Sequence, residues 1–204
     1  MIIAELIFWL IIFGLSAVVH EYCHAWMANY LGDPTAKHAG RLTLNPIAHV
    51  DLFGTLMLPI IMFFLSGGSF LFAYAKPVPF NPGNFRDWTW DPVKVALAGP
   101  GANISVAVIF GLLVRYLPST DFTGLLSFIV YANVLLAVFN SLPIPPLDGS
   151  KLLFAILPGS LDHVRDALER YGMIVLLVFI LFAFRLVVPV VLAIFKLITG
   201  IPIF

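Results

Sequence analysis

His20-Glu21-Tyr22-Cys23-His24 carries the spacing H-E-x-x-H. On a helix, positions i and i+4 share a face, so both imidazoles can reach one metal ion. The glutamate between them then lies beside that ion, where it can take a proton from a water molecule. Three protein ligands with a fourth position left open is the usual catalytic arrangement for zinc. Cys23 lies off the histidine face, and a buried free cysteine packs as a small hydrophobe. As the single cysteine of the chain, it excludes an intrachain disulfide and any multi-cysteine metal site.

The elements that must position these residues are apolar. Of 204 residues, 61% are hydrophobic and 11% charged, against about 45–50% and about 25% in soluble domains. Long apolar runs recur from end to end, which describes a polytopic integral membrane protein embedded in a lipid bilayer. A net charge of zero gives no footprint for nucleic acid. The apolar start, Ile2 to Leu15, has no basic flank and no small-residue cleavage site before His20, so it reads as a retained transmembrane helix.

That first helix runs over 2–30 and stops at Gly32-Asp33-Pro34. In the polar stretch Thr35 to Asp51, Gly40 to Leu44 reads as a short strand. Leu52 to Leu65 is apolar, interrupted by Pro59 and closed by Ser66-Gly67-Gly68-Ser69, and Phe70 to Ala75 is aromatic and strand-like. Further spans are expected over 93–117 and 122–142, then a charged surface helix over 161–170. The last stretch, 171–204, fits one span with a tail or two joined segments. The fold class is therefore an all-α polytopic membrane protein, with about 4–6 transmembrane segments by length. A core over 1–157 is followed by a surface helix and C-terminal transmembrane segment or segments over 158–204.

His20, Glu21 and His24 interrupt an apolar membrane helix, where each charged residue costs at least ~2.5–3.5 kcal/mol at mid-bilayer. A divalent metal compensates such a cluster; the alternative is a hydrated cluster at the helix end. A third ligand has to come from elsewhere. His38, His49 and His163 lie in polar segments, where surface histidine is the default. Among the acids Glu5, Asp51, Asp121 and Asp148, Asp148 follows Pro143, Pro145 and Pro146, which break the end of a membrane helix. Irregular backbone at membrane depth is tolerated where it lines a cavity, although an aspartate there also suits a helix cap at the membrane surface.

Three motifs in order resemble the site-2 protease family of intramembrane zinc metalloproteases. They are His20-Glu21-Tyr22-Cys23-His24, Gly99-Pro100-Gly101-Ala102-Asn103, and Asn140-Ser141-Leu142-Pro143 running into Leu147-Asp148-Gly149. The resemblance implies one zinc ion per chain held by His20, His24 and Asp148, with Glu21 as general base. It places Asn140 near the site, positioning substrate or the oxyanion; Asn103 either joins the site or bridges helices. Lys76-Pro77-Val78-Pro79-Phe80-Asn81-Pro82 is similar to a loop of the compact members, and a chain of this length leaves no room for a PDZ or CBS domain.

If His20, His24 and Asp148 share an ion, their ends of the helices lie at one face of the membrane. Leu52 to Ala75 must then enter and return as a re-entrant hairpin; its 14-residue apolar limb, 52–65, reaches ~21 Å against a ~30 Å core. With the hairpin, Lys37, Arg41, Lys76, Arg86, Lys94, Lys151, Arg165 and Arg170 fall on one side and Arg115 towards the other. With a straight span the division is six against three, so the positive-inside rule favours the hairpin and a site near the cytoplasmic side of a cell membrane. The expected activity is zinc-dependent cleavage of peptide bonds in or near the transmembrane helices of membrane-protein substrates. Two alternatives stand beside it: a metalloprotease whose third ligand is Glu169, and a zinc-binding transporter or metal sensor.

Overall fold

The computed structural model describes residues 2–65 and 74–201. Helix α1 (Ile2–Tyr30) has 29 residues, which at 1.5 Å per residue reach about 43 Å, more than the hydrocarbon core requires. It ends in a Schellman turn. Gly32 takes φ +103°, its N–H goes to Asn29 O at 3.2 Å, and the Asp33 N–H goes to Ala28 O at 2.9 Å. Short α2 (Thr35–His38) and a 3-10 turn at Pro46–His49 follow. A π-helical segment at Leu52–Met57 leads without a break into α3 (Leu58–Leu65), so Pro59 lies within continuous helix and withholds one backbone donor.

The second half is simpler. Asp87 accepts the N–H groups of Thr89 and Trp90 at the start of α4 (Trp90–Tyr116). A capping box between Thr120 and Thr123 opens α5 (Asp121–Asn140). After the proline-rich loop come α6 (Gly149–Ile156), α7 (Asp162–Ala183), a 3-10 turn at Phe184–Leu186, and α8 (Val187–Thr199). Among the described residues, four stretches are long and apolar enough to cross a membrane: Ile7–Tyr30, Trp90–Tyr116, Asp121–Asn140 and Gly159–Thr199. The chain is a multi-pass membrane protein.

Packing follows the same logic. Ala107 and Val114 of α4, Val130 and Val134 of α5, and Val191 and Phe195 of α8 form one buried cluster. Gly111 admits Ile198, whose Cγ2 would lie 2.3 Å from an added Cβ. Large apolar side chains point outward, among them Leu10, Ile109, Leu181 and Phe182 at 59–81% exposure, as a lipid-facing surface requires.

Two expectations about these elements need correction. The charged segment 161–170 is no separate surface helix but the opening turns of α7, which continues to Ala183 without a break. Of the two readings of the last apolar stretch, the two joined segments hold: α7 and α8 meet at Phe184–Leu186. Gly40 to Leu44 is not a strand, and no strand occurs among the described residues. Arg41 is the reason: it is buried, and its guanidinium donates to Ala48 O and Lys76 O, pulling that backbone inward rather than into a ladder. The proposed turn at 66–69 and most of the strand-like segment 70–75 lie outside the described residues. At Tyr74 the chain is beside its own earlier course. The Tyr74 N–H donates to Gly54 O at 3.1 Å, the Thr55 hydroxyl to Tyr74 O at 3.0 Å, and the Lys76 N–H to His49 O at 3.0 Å.

The segment after Tyr74 is tied to the end of α1 by Asp33. Its fully buried carboxylate accepts from Thr35 N–H (3.1 Å) and hydroxyl (2.5 Å), the Asn84 amide (2.7 Å) and the Asn81 N–H (2.7 Å). Burial alone would raise its pKa, but these donors together hold the carboxyl below the usual carboxylate range. A depressed folded pKa contributes stability above the unfolded value of about 3.9 that is lost as pH falls below it. Asp33→Ala is therefore expected to cost about 1–3 kcal/mol at neutral pH through the donors left unpaired. Thermal unfolding in detergent checks this: the gap between wild type and variant should narrow between pH 5 and pH 3.

Candidate active site

His20 and His24 lie one turn apart on α1, their rings 4.5 Å apart and nearly perpendicular. Asp148 reaches them from the residue preceding α6, at the end of the proline-rich loop. Its Oδ2 is 3.0 Å from His20 Nε2 and 3.2 Å from His24 Nε2. One ligand atom from each of the three lies within 4.8 Å of the others. Both histidines are buried and Asp148 is half-buried.

The far side of each ring is engaged. His20 Nδ1–H donates to Asn103 Oδ1 at 2.6 Å, and His24 Nδ1–H donates to the carbonyl of Val95 at 2.7 Å. Both partners are oxygen acceptors, so each ring carries a proton on Nδ1 and, as a neutral imidazole, presents a lone pair at Nε2. Two Nε2 lone pairs and a carboxylate oxygen are then three acceptors turned on one another at 3.0–3.2 Å. Such a donor set suits a divalent cation, and acceptors behind ligating histidines are the usual support for one.

α4 must come very close to make this arrangement. At Gly99 an added Cβ would fall 2.5 Å from His24 Nε2 and 2.6 Å from His20 Nε2. Glycine is needed there for the space it leaves. Pro100 follows it within the helix, where it withholds one backbone hydrogen bond. One turn later Asn103 delivers its amide to His20.

A cavity of about 530 Å³ opens on the site. His20, Glu21, His24, Asp148 and Asn140 all line it, together with Lys151. Glu21 and Asn140 therefore share one cavity with the three candidate ligands. One N–H of the Asn140 amide is spent on Leu136 O at 2.9 Å, within its own helix. Other groups stay away. His38 and His163 are exposed, whereas His49 is buried and bonds Thr43 O at 2.8 Å, against the expected surface histidine. Glu169, the alternative third ligand, is exposed and pairs with Arg165 at 3.4 Å.

Sequence reasoning left Asn103 between two roles and gave none to Gly99, Ser16 or Asn133. Asn103 and Asn133 are fully buried and joined to Ser16, an arrangement taken up below. A lone amide within an apolar span was the available signal, since burying one without partners is costly.

The sequence profile of peptidase family M50 matches residues 115–184. "Putative zinc metalloprotease YwhC" of Bacillus subtilis is 36% identical over 174 residues, 80% of this chain and 75% of that protein. "Putative zinc metalloprotease Rip2" of Mycolicibacterium smegmatis is 29% identical over 186 residues, 86% of this chain and 68% of that protein. "Putative zinc metalloprotease MJ0611" of Methanocaldococcus jannaschii is 43% identical over 61 residues, 29% of this chain and 32% of that protein. No solved structure matches. Identity of 36% along three quarters of YwhC places the chain in its family: it belongs to peptidase family M50, the site-2 protease family of zinc metalloproteases.

Proposed function

We propose that the chain is a zinc-dependent endopeptidase that cleaves peptide bonds within or near the transmembrane helices of membrane-protein substrates. The observation that carries this reading is the convergence of His20, His24 and Asp148 at 3.0–3.2 Å, with Glu21 on the wall of the same cavity. Zinc held by the two Nε2 atoms and Asp148 would supply a Lewis acid that acidifies water and polarises a peptide carbonyl.

The chain's own residues do the rest. A carboxylate oxygen of Glu21 takes a proton from the attacking water and returns it to the departing amine nitrogen. Asn140 keeps one amide N–H for the carbonyl oxygen on which charge develops, since its other goes to Leu136 O. Ala17, Val95, Leu147 and Leu176 give the cavity apolar walls, which strengthen every polar contact made inside it.

Depth is set by aromatic residues. Trp26 and Tyr30 near the end of α1, and Trp88 and Trp90 at the start of α4, are 46–76% exposed. Such amphipathic rings sit at the headgroup level. On α1, His24 and His20 lie about 9 and 15 Å below Tyr30 at 1.5 Å per residue, inside the hydrocarbon core yet near one face. The bonds from Tyr74 to Gly54 and from Lys76 to His49 support the re-entrant reading of 52–75, because both ends of that segment then lie at one level. With that path the basic residues gather on the side of the site, which makes that side cytoplasmic. Against a transporter, the amides of α4 and α5 at Asn103 and Asn133 are bonded to each other and to Ser16 rather than free to line a path for ions.

Glu21→Gln in purified protein tests the proposal. Zinc content should match wild type while cleavage of a panel of single-span substrates falls by at least ~10²–10⁴-fold, the range for removing a general base. A variant that cleaves like wild type, or a wild type that binds zinc and cleaves nothing in the panel, overturns it.

A further inference from the structure

The polar groups behind His20 form a one-way chain of donation across three helices. Asn133 Nδ2 of α5 donates to Ile129 O at 2.9 Å and to the Ser16 hydroxyl at 2.9 Å. With both amide hydrogens given away, its Oδ1 is left to accept, and it accepts from Asn103 Nδ2 at 2.8 Å. Asn103 Nδ2 donates its other hydrogen to Ser16 O at 3.2 Å. Asn103 Oδ1 is then the only atom of that amide left to face His20 Nδ1, at 2.6 Å.

The direction of this chain is anchored at both ends by backbone carbonyls, Ile129 O and Ser16 O, which can only accept. Flipping either amide would set its oxygen against a backbone carbonyl oxygen, acceptor against acceptor, and leave fully buried groups unpaired. Asn103 and Asn133 are both 0% exposed, so no water competes for them. The amides therefore pair in one orientation, which leaves an oxygen facing His20.

We propose that Asn103, oriented by Asn133 and Ser16, is the positioning residue that holds His20 in its Nδ1–H tautomer and aims Nε2 at the metal. The proposal deepens the zinc reading and rests on it. His24 receives the same service from the carbonyl of Val95, a main-chain atom that no side-chain substitution removes. His20 depends on one side chain. Metal affinity is therefore coupled to a residue 83 positions away through an oxygen that never touches the ion.

Two substitutions separate positioning from packing. Asn103→Leu removes the acceptor, freeing the ring to rotate or change tautomer, and zinc affinity should fall ~10–100-fold, as for other partners behind a ligating histidine. Asn103→Asp keeps an oxygen for His20 Nδ1–H but loses both donations, to Ser16 O and Asn133 Oδ1. It should melt below wild type in detergent yet hold zinc within a few-fold of it, rescuing what the leucine variant loses. The measurements are zinc dissociation constants by chelator competition, melting temperatures, and imidazole nitrogen shifts of labelled histidine, which report the tautomer directly. Affinity that falls in step with melting temperature in both variants, or a leucine variant that binds zinc as wild type does, overturns the positioning role. If Asn103→Leu does not fold, Asn103→Asp decides alone: loss of zinc with a folded chain contradicts the proposal. Failure of wild type to bind zinc would instead sink the zinc reading itself.

Discussion

Asp148→Ala is expected to leave a folded protein that no longer retains zinc. The side chain supplies one of three converging ligand atoms, 3.0 and 3.2 Å from the two histidine nitrogens. If binding free energy is about 10–16 kcal/mol, as for structural zinc, losing one ligand of three weakens affinity by roughly 10²–10⁴-fold. Folding should survive, since Asp148 makes no side-chain capping bond to α6. Zinc content after gel filtration against a weak chelator checks this, beside cleavage of a single-span substrate. Retained zinc in the variant would return the third ligand to another residue. Glu169, exposed and paired with Arg165, is poorly placed to be that residue.

Gly99→Ala is the second large effect, and it reaches the site through the backbone. The added methyl carbon would lie 2.5 Å from His24 Nε2 and 2.6 Å from His20 Nε2, where nothing can be accommodated without movement. Neither ring can yield freely, because His20 is held by Asn103 and His24 by Val95 O. The helices must separate or the rings must leave their partners. Overpacking of this kind costs about 1–3 kcal/mol of stability. The metal site suffers more, because the methyl takes the space between the ligand atoms, and cleavage should be undetectable. Gly101→Ala is the matched control, with nothing within 4 Å of its added carbon. Metal content and melting temperature of the two alanine variants separate this cause from a general intolerance of alanine in α4.

The contrast between these residues explains what was legible in the sequence. His20, Glu21 and His24 stand on one helix, so their relation is a spacing and can be read directly. Asp148 is 128 positions from His20; the broken helix before it marked it for attention, but only the family resemblance made it a ligand. Span positions followed from length and apolarity, and α1, α4 and α5 begin and end within about three residues of expectation. Relations between helices were hidden. A glycine in a membrane helix does not announce what lies against it, and lone amides at Asn103 and Asn133 carry no periodic signal that they find each other. Asp33 looked like part of a helix breaker, although four hydrogen bonds make it the tie between α1 and the loop at Asn81 and Asn84. Arg41 lay in an apparent strand because β-like patterning says nothing of a guanidinium buried against distant carbonyls. The continuity of α7 was missed for a related reason: its charged opening turns and apolar remainder look like two elements, though one helix can leave the membrane without ending.

The most direct test of the account is the position of the cut. Wild-type protein reconstituted in vesicles with a single-span substrate should release products whose masses place the broken bond inside the apolar span, some 9–15 Å from the interface on the side of Trp26 and Tyr30, as the helical rise to His24 and His20 requires. Glu21→Gln, loaded with zinc to the same extent, should release none. Products cut only in segments outside the membrane, or the same products from the Glu21→Gln protein, would contradict an active site built on His20, Glu21, His24 and Asp148 within the bilayer.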